Sequence, residues 1–211
     1  MSALSLAPRA LYEEVAELLR QRIFARELEP GSWIDELRIA EALGISRTPL
    51  REALKVLAAE GLITMKVRRG AYVTEVSEKD LRDVYHLLAL LESDAARVVA
   101  QNASAEQLQQ INELHQELEK STHDRDRFFE INEAFHMLLL ELADNRWRNQ
   151  MVADLRKVMK LNRHNSLFTE GRLEQSLAEH RDIVQALVNR LPEVAAERMS
   201  AHFASGLQAA Q

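Results

Sequence analysis

The chain of 211 residues carries 27 Lys and Arg against 33 Asp and Glu, a formal charge of −6, and no cysteine, which excludes disulfides and thiolate metal sites. A hydrophobic content of 46% with few Gly and Pro and only 5% aromatics describes a mostly helical globular protein. There is no apolar run of the roughly eighteen residues a membrane-spanning helix needs, and Glu13, Glu14, Glu17 and Arg20 break up any secretion signal, so a cytoplasmic protein is expected.

Residues 10–27 form an amphipathic helix with Leu11, Val15, Leu18, Leu19, Ile23 and Phe24 on its buried side. The turn Glu29-Pro30-Gly31 leads to Trp33, read as a core residue. Residues 35–43 give a short helix with Leu37, Ala40 and Leu43 apolar, closed by Gly44. Ser46 then opens a second helix as an N-cap accepting a bond from a first-turn N–H. Pro49 falls in that first turn, where a missing N–H costs nothing. Leu50, Ala53, Leu54 and Leu57 recur at i, i+3, i+4 and i+7 as a packing face, and Gly61 ends the helix. Arg47, Arg51 and Lys55 recur every fourth residue on another face, with Thr48 beside them, and offer donors suited to phosphates and guanine edges.

Helix, glycine turn and helix make a helix-turn-helix, with the second helix for recognition. The β-prone runs 62–67 and 71–74 flank Arg68-Arg69-Gly70, a basic turn. That hairpin is a wing, able to carry Arg68 or Arg69 into a minor groove or onto a phosphate. Residues 1–75 balance eleven basic against eleven acidic side chains, whereas a nucleic-acid module is expected to be basic overall. Residues 46–70 nevertheless carry a net +4, so binding should lean on specific contacts more than on phosphate attraction.

The polar stretch 74–80 marks a boundary, and residues 76–211 read as helices throughout. Ser77 caps a long helix at 78–101 with Val84, Leu87, Leu88, Leu91 and Ala95 on its apolar side. Ser104 and Gln107 form a capping box for a helix to residue 120. Further helices are expected at 124–143, 145–164, 173–189 and 193–207, the last with Pro192 in its first turn and the third preceded by a loop at 165–171. The fold class is therefore mainly α, a winged helix-turn-helix domain (1–75) followed by an all-helical bundle of about six helices (76–211). The bundle holds all seven histidines: His86, His115, His136, His164 and His180 fall one on each of the first five of these helices, His202 on the last, and His123 between the second and third. Asn132 and His136 are one turn apart on one helix face, and His180 and His202 lie on the last two helices. Three imidazoles with an oxygen suit a divalent metal, but helix histidines are equally compatible with a hydrogen-bonded core or the surface.

The run from Leu11 to Val73 resembles the DNA-binding domain of GntR-type bacterial transcription regulators. The shared motifs are Glu29-Pro30-Gly31-Ser32, Ala40-Glu41-Ala42-Leu43-Gly44, Ser46-Arg47-Thr48-Pro49-Leu50-Arg51-Glu52-Ala53-Leu54, Glu60-Gly61-Leu62 and Arg69-Gly70-Ala71-Tyr72-Val73. The resemblance implies operator contacts from Arg47, Thr48 and Arg51 and from the wing around Gly70. An arginine that some members carry in the preceding helix aligns with Leu37, and Arg38 would substitute for it. With Ser46, Arg68 and Arg69 these are the expected DNA-binding residues.

The second half resembles the all-helical effector domain of the FadR subgroup, in its larger metal-binding class. The matching pieces are Leu90-Leu91-Glu92, Ala95-Ala96, Asn132-Glu133-Ala134-Phe135-His136, Ala143-Asp144-Asn145, Glu179-His180-Arg181-Asp182-Ile183 and Met199-Ser200-Ala201-His202. The resemblance implies a metal on Asn132, His136, His180 and His202, zinc first, nickel or manganese if waters complete an octahedron. Many members have aspartate at the position of Asn132, and a neutral amide is the weaker ligand. An arginine common at the position of Leu88 would pair with a carboxylate effector, and here Arg97, Arg156 or Arg163 would have to serve.

The implied function is a ligand-responsive transcription regulator, a repressor, acting as a homodimer on a palindromic double-stranded operator. The alternative is a constitutive DNA-binding protein whose C-terminal domain only dimerises. An enzyme is not expected, because the chain has no HExxH pair, nucleophile elbow or Gly-rich phosphate loop.

Overall fold

The computed structural model describes residues 10–161 and 171–211. Residues 162–170, which hold Arg163 and most of the loop expected at 165–171, lie outside the described residues. The chain divides between Val76 and Ser77 into two compact units.

The first unit consists of α1 (Leu11–Phe24), α2 (Glu36–Leu43), α3 (Arg47–Ala59) and the strands β1 (Ile63–Lys66) and β2 (Gly70–Val73). Asp35 starts α2 by accepting from the N–H groups of Leu37 and Arg38, and Gly44 ends it in the left-handed region at φ 64°. Ser46 occupies the N-cap of α3, but its side chain makes no capping bond there, so the expected cap is backbone geometry alone. Leu50, Ala53, Leu54 and Leu57 are fully buried and α1 packs across them through Val15, Ala16, Leu19 and Ile23. The strands pair antiparallel from Ile63 opposite Val73 to Lys66 opposite Gly70.

Two expectations for this core are corrected. Trp33 is 56% exposed. It bridges to Tyr72, while Ile34 donates its N–H to the carbonyl of Ala71 and turns inward. Side chains alternate along an extended segment, so burying Ile34 sends Trp33 to the other face. Leu11 and Leu18 are also exposed. They lie about a quarter to a third of a helical turn from the centre of the stripe that meets α3.

The second unit contains α4 (Glu78–Asn102), α5 (Ala105–Lys120), α6 (Arg125–Leu142), α7 (Arg146–Leu161), α8 (Arg172–Val188) and α9 (Pro192–Ala210). Four of these six helices start on a side-chain cap. Ser77 accepts from the N–H of Asp80, Ser104 and Gln107 close a reciprocal capping box, Asp124 accepts from Arg127, and Asn145 accepts from Trp147 and Arg148. The long helix α4 is the axis of the bundle, packing against α9, α7, α6 and α8, while α5 packs on α6 and α8. Leu88, Ala95 and Ala96 are buried along it, but Leu87 is 42% exposed, contrary to expectation. The core of the bundle is mixed, because Glu92, His136, His180 and Arg156 are buried among these apolar side chains.

The contrast between caps gives a direct test. Ser104→Ala should lower stability by about 0.5–2 kcal/mol by losing a side-chain cap bond, and Ser46→Ala should change it by less than roughly half that amount. Urea unfolding of both variants followed by circular dichroism reads the difference.

Candidate metal centre and nucleic-acid interface

On the first unit, Ser46, Arg47, Thr48 and Arg51 are exposed on α3, opposite the face that packs on α1. Arg38 is exposed on α2, as is the neighbouring Leu37. Glu36, whose side chain is only 16% exposed, had no place in the expected site, yet it holds both Arg47 and Arg51. It accepts from Arg51 Nε at 2.8 Å and from Arg47 Nη2 at 3.3 Å. Those bonds, Arg51 first, hold the Glu36 carboxyl below its ordinary range against the opposing effect of burial. The two guanidiniums are thus tethered at one edge and solvent-facing at the other.

At the wing tip Arg68 has φ 59° and Arg69 returns its N–H to the carbonyl of Lys66, leaving both side chains exposed. Gly70 has φ 90°, a backbone conformation that favours glycine, and a Cβ there would sit in tight contact, 3.1 Å from the indole nitrogen of Trp33.

In the helical unit, His136 on α6, His180 on α8 and His202 on α9 converge, each carried inward by the apolar stripe of its own helix. One ligand nitrogen from each lies within 4.8 Å of the others, and the rings are 1%, 0% and 7% exposed. His136 Nδ1 is hydrogen-bonded to Glu92 Oε2 at 2.6 Å, and His202 Nδ1 to Glu179 Oε2 at 2.7 Å. Neither nitrogen of His180 has a hydrogen-bond partner. Burial pushes His136 and His180 well below the ordinary histidine range and pulls His202 down despite its bond to Glu179.

Asn132 lines the same cavity as His136 and His202, and its buried Oδ1 has no partner. Buried polar atoms without partners are rare and call for a bound species. Neutral imidazoles, two unpartnered nitrogens on His180 and an unpartnered amide oxygen are a donor set that fits a divalent ion. Among the other histidines, His86 and His123 are exposed, and His115 is buried behind His180, its ring stacked on it at 6.4 Å.

The cavity has a volume of about 80 Å³, with Tyr85, Phe129 and Phe203 on its apolar wall and Arg156 and Arg172 among its polar groups. Arg156 is 3% exposed and makes two 2.9 Å bonds to the Glu92 carboxylate. Burial pushes the Glu92 carboxyl up from its ordinary range while this guanidinium opposes the rise. Of the three arginines expected for an effector, Arg156 alone is found in this wall. Arg97 is not in it, because α4 turns its half-exposed side chain to Glu193 through two 3.0 Å bonds. Arg163 lies outside the described residues. Sequence reasoning missed Arg172, which bonds Glu179 at 3.1 Å and Ser205 at 3.3 Å beside the cavity. Its only sequence signal was a basic residue opening a helix that carries a ligand candidate.

Residues 11–73 match the family described as bacterial regulatory proteins, gntR family, and residues 83–205 match the FCD domain. The HTH-type transcriptional regulator YdhC of Bacillus subtilis is 30% identical over 93% of this chain and 89% of its own length. The HTH-type transcriptional repressor RspR of Escherichia coli K12 is 29% identical over 90% of this chain and 85% of its own. Among solved structures, E. coli McbR/YncC shares the fold with a TM-score of 0.76 at 20% identity, covering 93% of this chain and 95% of that one.

Buried neutral histidines make the metal-free fold sensitive to acid. Unfolded histidines titrate near ~6.5, whereas the three rings are held below that in the fold, so the unfolded state binds more protons beneath that pH. Their contribution is complete above about pH 6.5 and is lost as the pH falls. Chelator-treated protein should show a melting temperature that declines from about pH 7 to 5, and His180→Phe should make the decline shallower.

Proposed function

The chain belongs to the GntR family of bacterial transcription regulators and carries an FCD domain, and on that premise we propose that it is a ligand-responsive repressor binding a palindromic operator as a homodimer. The matched families and relatives are regulators rather than enzymes, and RspR is a repressor by name. In this reading α3 enters the major groove, where Arg47, Thr48 and Arg51 read base edges and Ser46 and Arg38 take phosphates. The wing residues Arg68, Arg69 and Gly70 meet the adjacent backbone or minor groove. Two copies double the +4 patch of residues 46–70, which offsets the otherwise neutral charge of the N-terminal unit. Leu87 and Leu90, exposed on α4, offer apolar surface for a second copy.

The observation that carries the ligand half of the proposal is the convergence of three buried histidines with unpartnered donor atoms beside a cavity. Asn132, His136, His180 and His202 would hold a divalent ion, zinc by preference for imidazole, with nickel or manganese where water completes the shell. When bound, the ion supplies a Lewis-acidic point for an oxygen-bearing small molecule. Arg156 in the wall supplies a fixed positive charge for a carboxylate. Effector binding then changes the spacing of the two winged domains, and with it the fit to two half-sites. The protein works in the cytoplasm, consistent with no helix among the described residues being long and apolar enough to cross a membrane.

Operator duplex recovered by selection from random sequence provides the test. Arg47→Ala or Arg51→Ala should cost about 1–3 kcal/mol of specific binding with dimerisation unchanged. Unaltered affinity in both would remove α3 from the groove. Replacing Arg68 and Arg69 together with Ala should reduce the salt dependence by about one to two units of slope.

Elemental analysis after reconstitution should find one ion per chain, raising the melting temperature, and His180→Ala should abolish uptake. Full operator binding with no ion and no effector response would leave a constitutive DNA-binding protein whose second domain only dimerises.

A further inference from the structure

We infer that Glu92 and Glu179 are positioning residues that set the tautomer and ring orientation of His136 and His202, so that both rings present Nε2 to a metal while His180 is held by packing alone. The inference rests on the metal reading above and concerns residues that reading does not use.

An ionised carboxylate can only accept, so a 2.6 Å contact from His136 Nδ1 to Glu92 Oε2 puts the ring proton on Nδ1. The lone pair is then on Nε2. The same logic applies to His202 Nδ1 and Glu179 Oε2 at 2.7 Å. Each carboxylate is itself immobilised by a guanidinium. Arg156 donates to both oxygens of Glu92, and Arg172 donates to Glu179 Oε2, so neither carboxylate is free to turn away or to become a ligand. A histidine ligand with its far nitrogen tied to a fixed carboxylate is more basic and is already oriented when the ion arrives.

The third ring is different in kind. His180 has no bond at either nitrogen and is seated against Phe135, with ring centres 4.6 Å apart, and against His115. Its immediate chain neighbour is Glu179, which reaches across to the next helix instead. The pair Glu179-His180 on α8 therefore contributes a ligand candidate and, one residue earlier, the carboxylate that orients the ligand candidate of α9. Glu92 on α4 does the same for α6 from a third direction.

The test uses the full chain and zinc ion alone. Long-range ¹H–¹⁵N spectra of the metal-free protein should show His136 and His202 protonated at Nδ1, and after one equivalent of zinc the Nε2 resonances of both should move while Nδ1 stays protonated. Glu179→Gln and Glu92→Gln should each weaken zinc binding by about 10- to 100-fold, whereas Glu193→Gln at the surface should not. Glu92→Gln strands Arg156 in the interior and can fail to fold, which its circular dichroism would reveal. Glu179 is partly exposed, so Glu179→Gln and the spectra decide the matter in that event. Nε2 protonation in the metal-free protein, zinc on Nδ1, or unchanged zinc affinity in Glu179→Gln would overturn the inference. A wild-type protein that takes up no zinc overturns the metal reading instead, and the metal-free spectra still report the tautomers.

Discussion

A carboxylate sealed from water stands at the centre of the helical unit. Glu92 is 1% exposed, and ionised groups in such surroundings lose several kcal/mol of hydration that only close partners return. Its partners come from two other helices, Arg156 on α7 and His136 on α6, while Glu92 itself sits midway along α4. The requirement that this charge be satisfied therefore fixes three helices against one another at a point where apolar packing alone would tolerate sliding. Its partners His136 and Arg156 also line the cavity, beside Tyr85, Phe128, Phe129 and Phe203.

The same device appears in weaker form elsewhere. Glu179 collects His202 and Arg172 beside the cavity, its side chain 18% exposed against 1% for Glu92. In the N-terminal unit Glu36 collects Arg47 and Arg51 at the protein surface. In all three cases an acidic side chain restrains basic groups, from other helices except for Arg172, which shares α8 with Glu179, and this reduces the conformational entropy those groups would lose on binding. Residues 1–75 balance eleven basic against eleven acidic side chains, so an operator complex of the proposed kind would draw little on phosphate attraction and more on the solvent-facing donors of α3 and the wing.

Several elements were legible locally because their causes are local. The cap at Ser77, the capping box at Ser104, the left-handed Gly44 and the wing between two β-prone runs are read from adjacent residues and are found as expected. Where a side chain's fate depended on which neighbour packs against it, the reading failed. Trp33 looked like core by hydrophobicity and was turned outward by the register that buries Ile34. Leu18 and Leu87 matched a helical stripe but the partner helices cover a narrower one. Ser46 had the chemistry of a cap and its hydroxyl is not used as one.

For the sites the division is sharper. The amino-acid order alone determined the helix-turn-helix and the wing, since each follows from periodicity along a single helix or from a short motif, whereas His136, His180 and His202 were singled out by the family resemblance and only the packing of α6, α8 and α9 brings them together. The order could not determine which acids meet which bases, because Glu92 and Arg156 are 64 residues apart and Arg97 and Glu193 are 96 apart. Arg97 and Arg156 were equivalent on paper. Only helix packing separated them, turning one to the surface and the other into the cavity wall, because a guanidinium's surroundings are set by the crossing of helices distant in sequence rather than by its own neighbours.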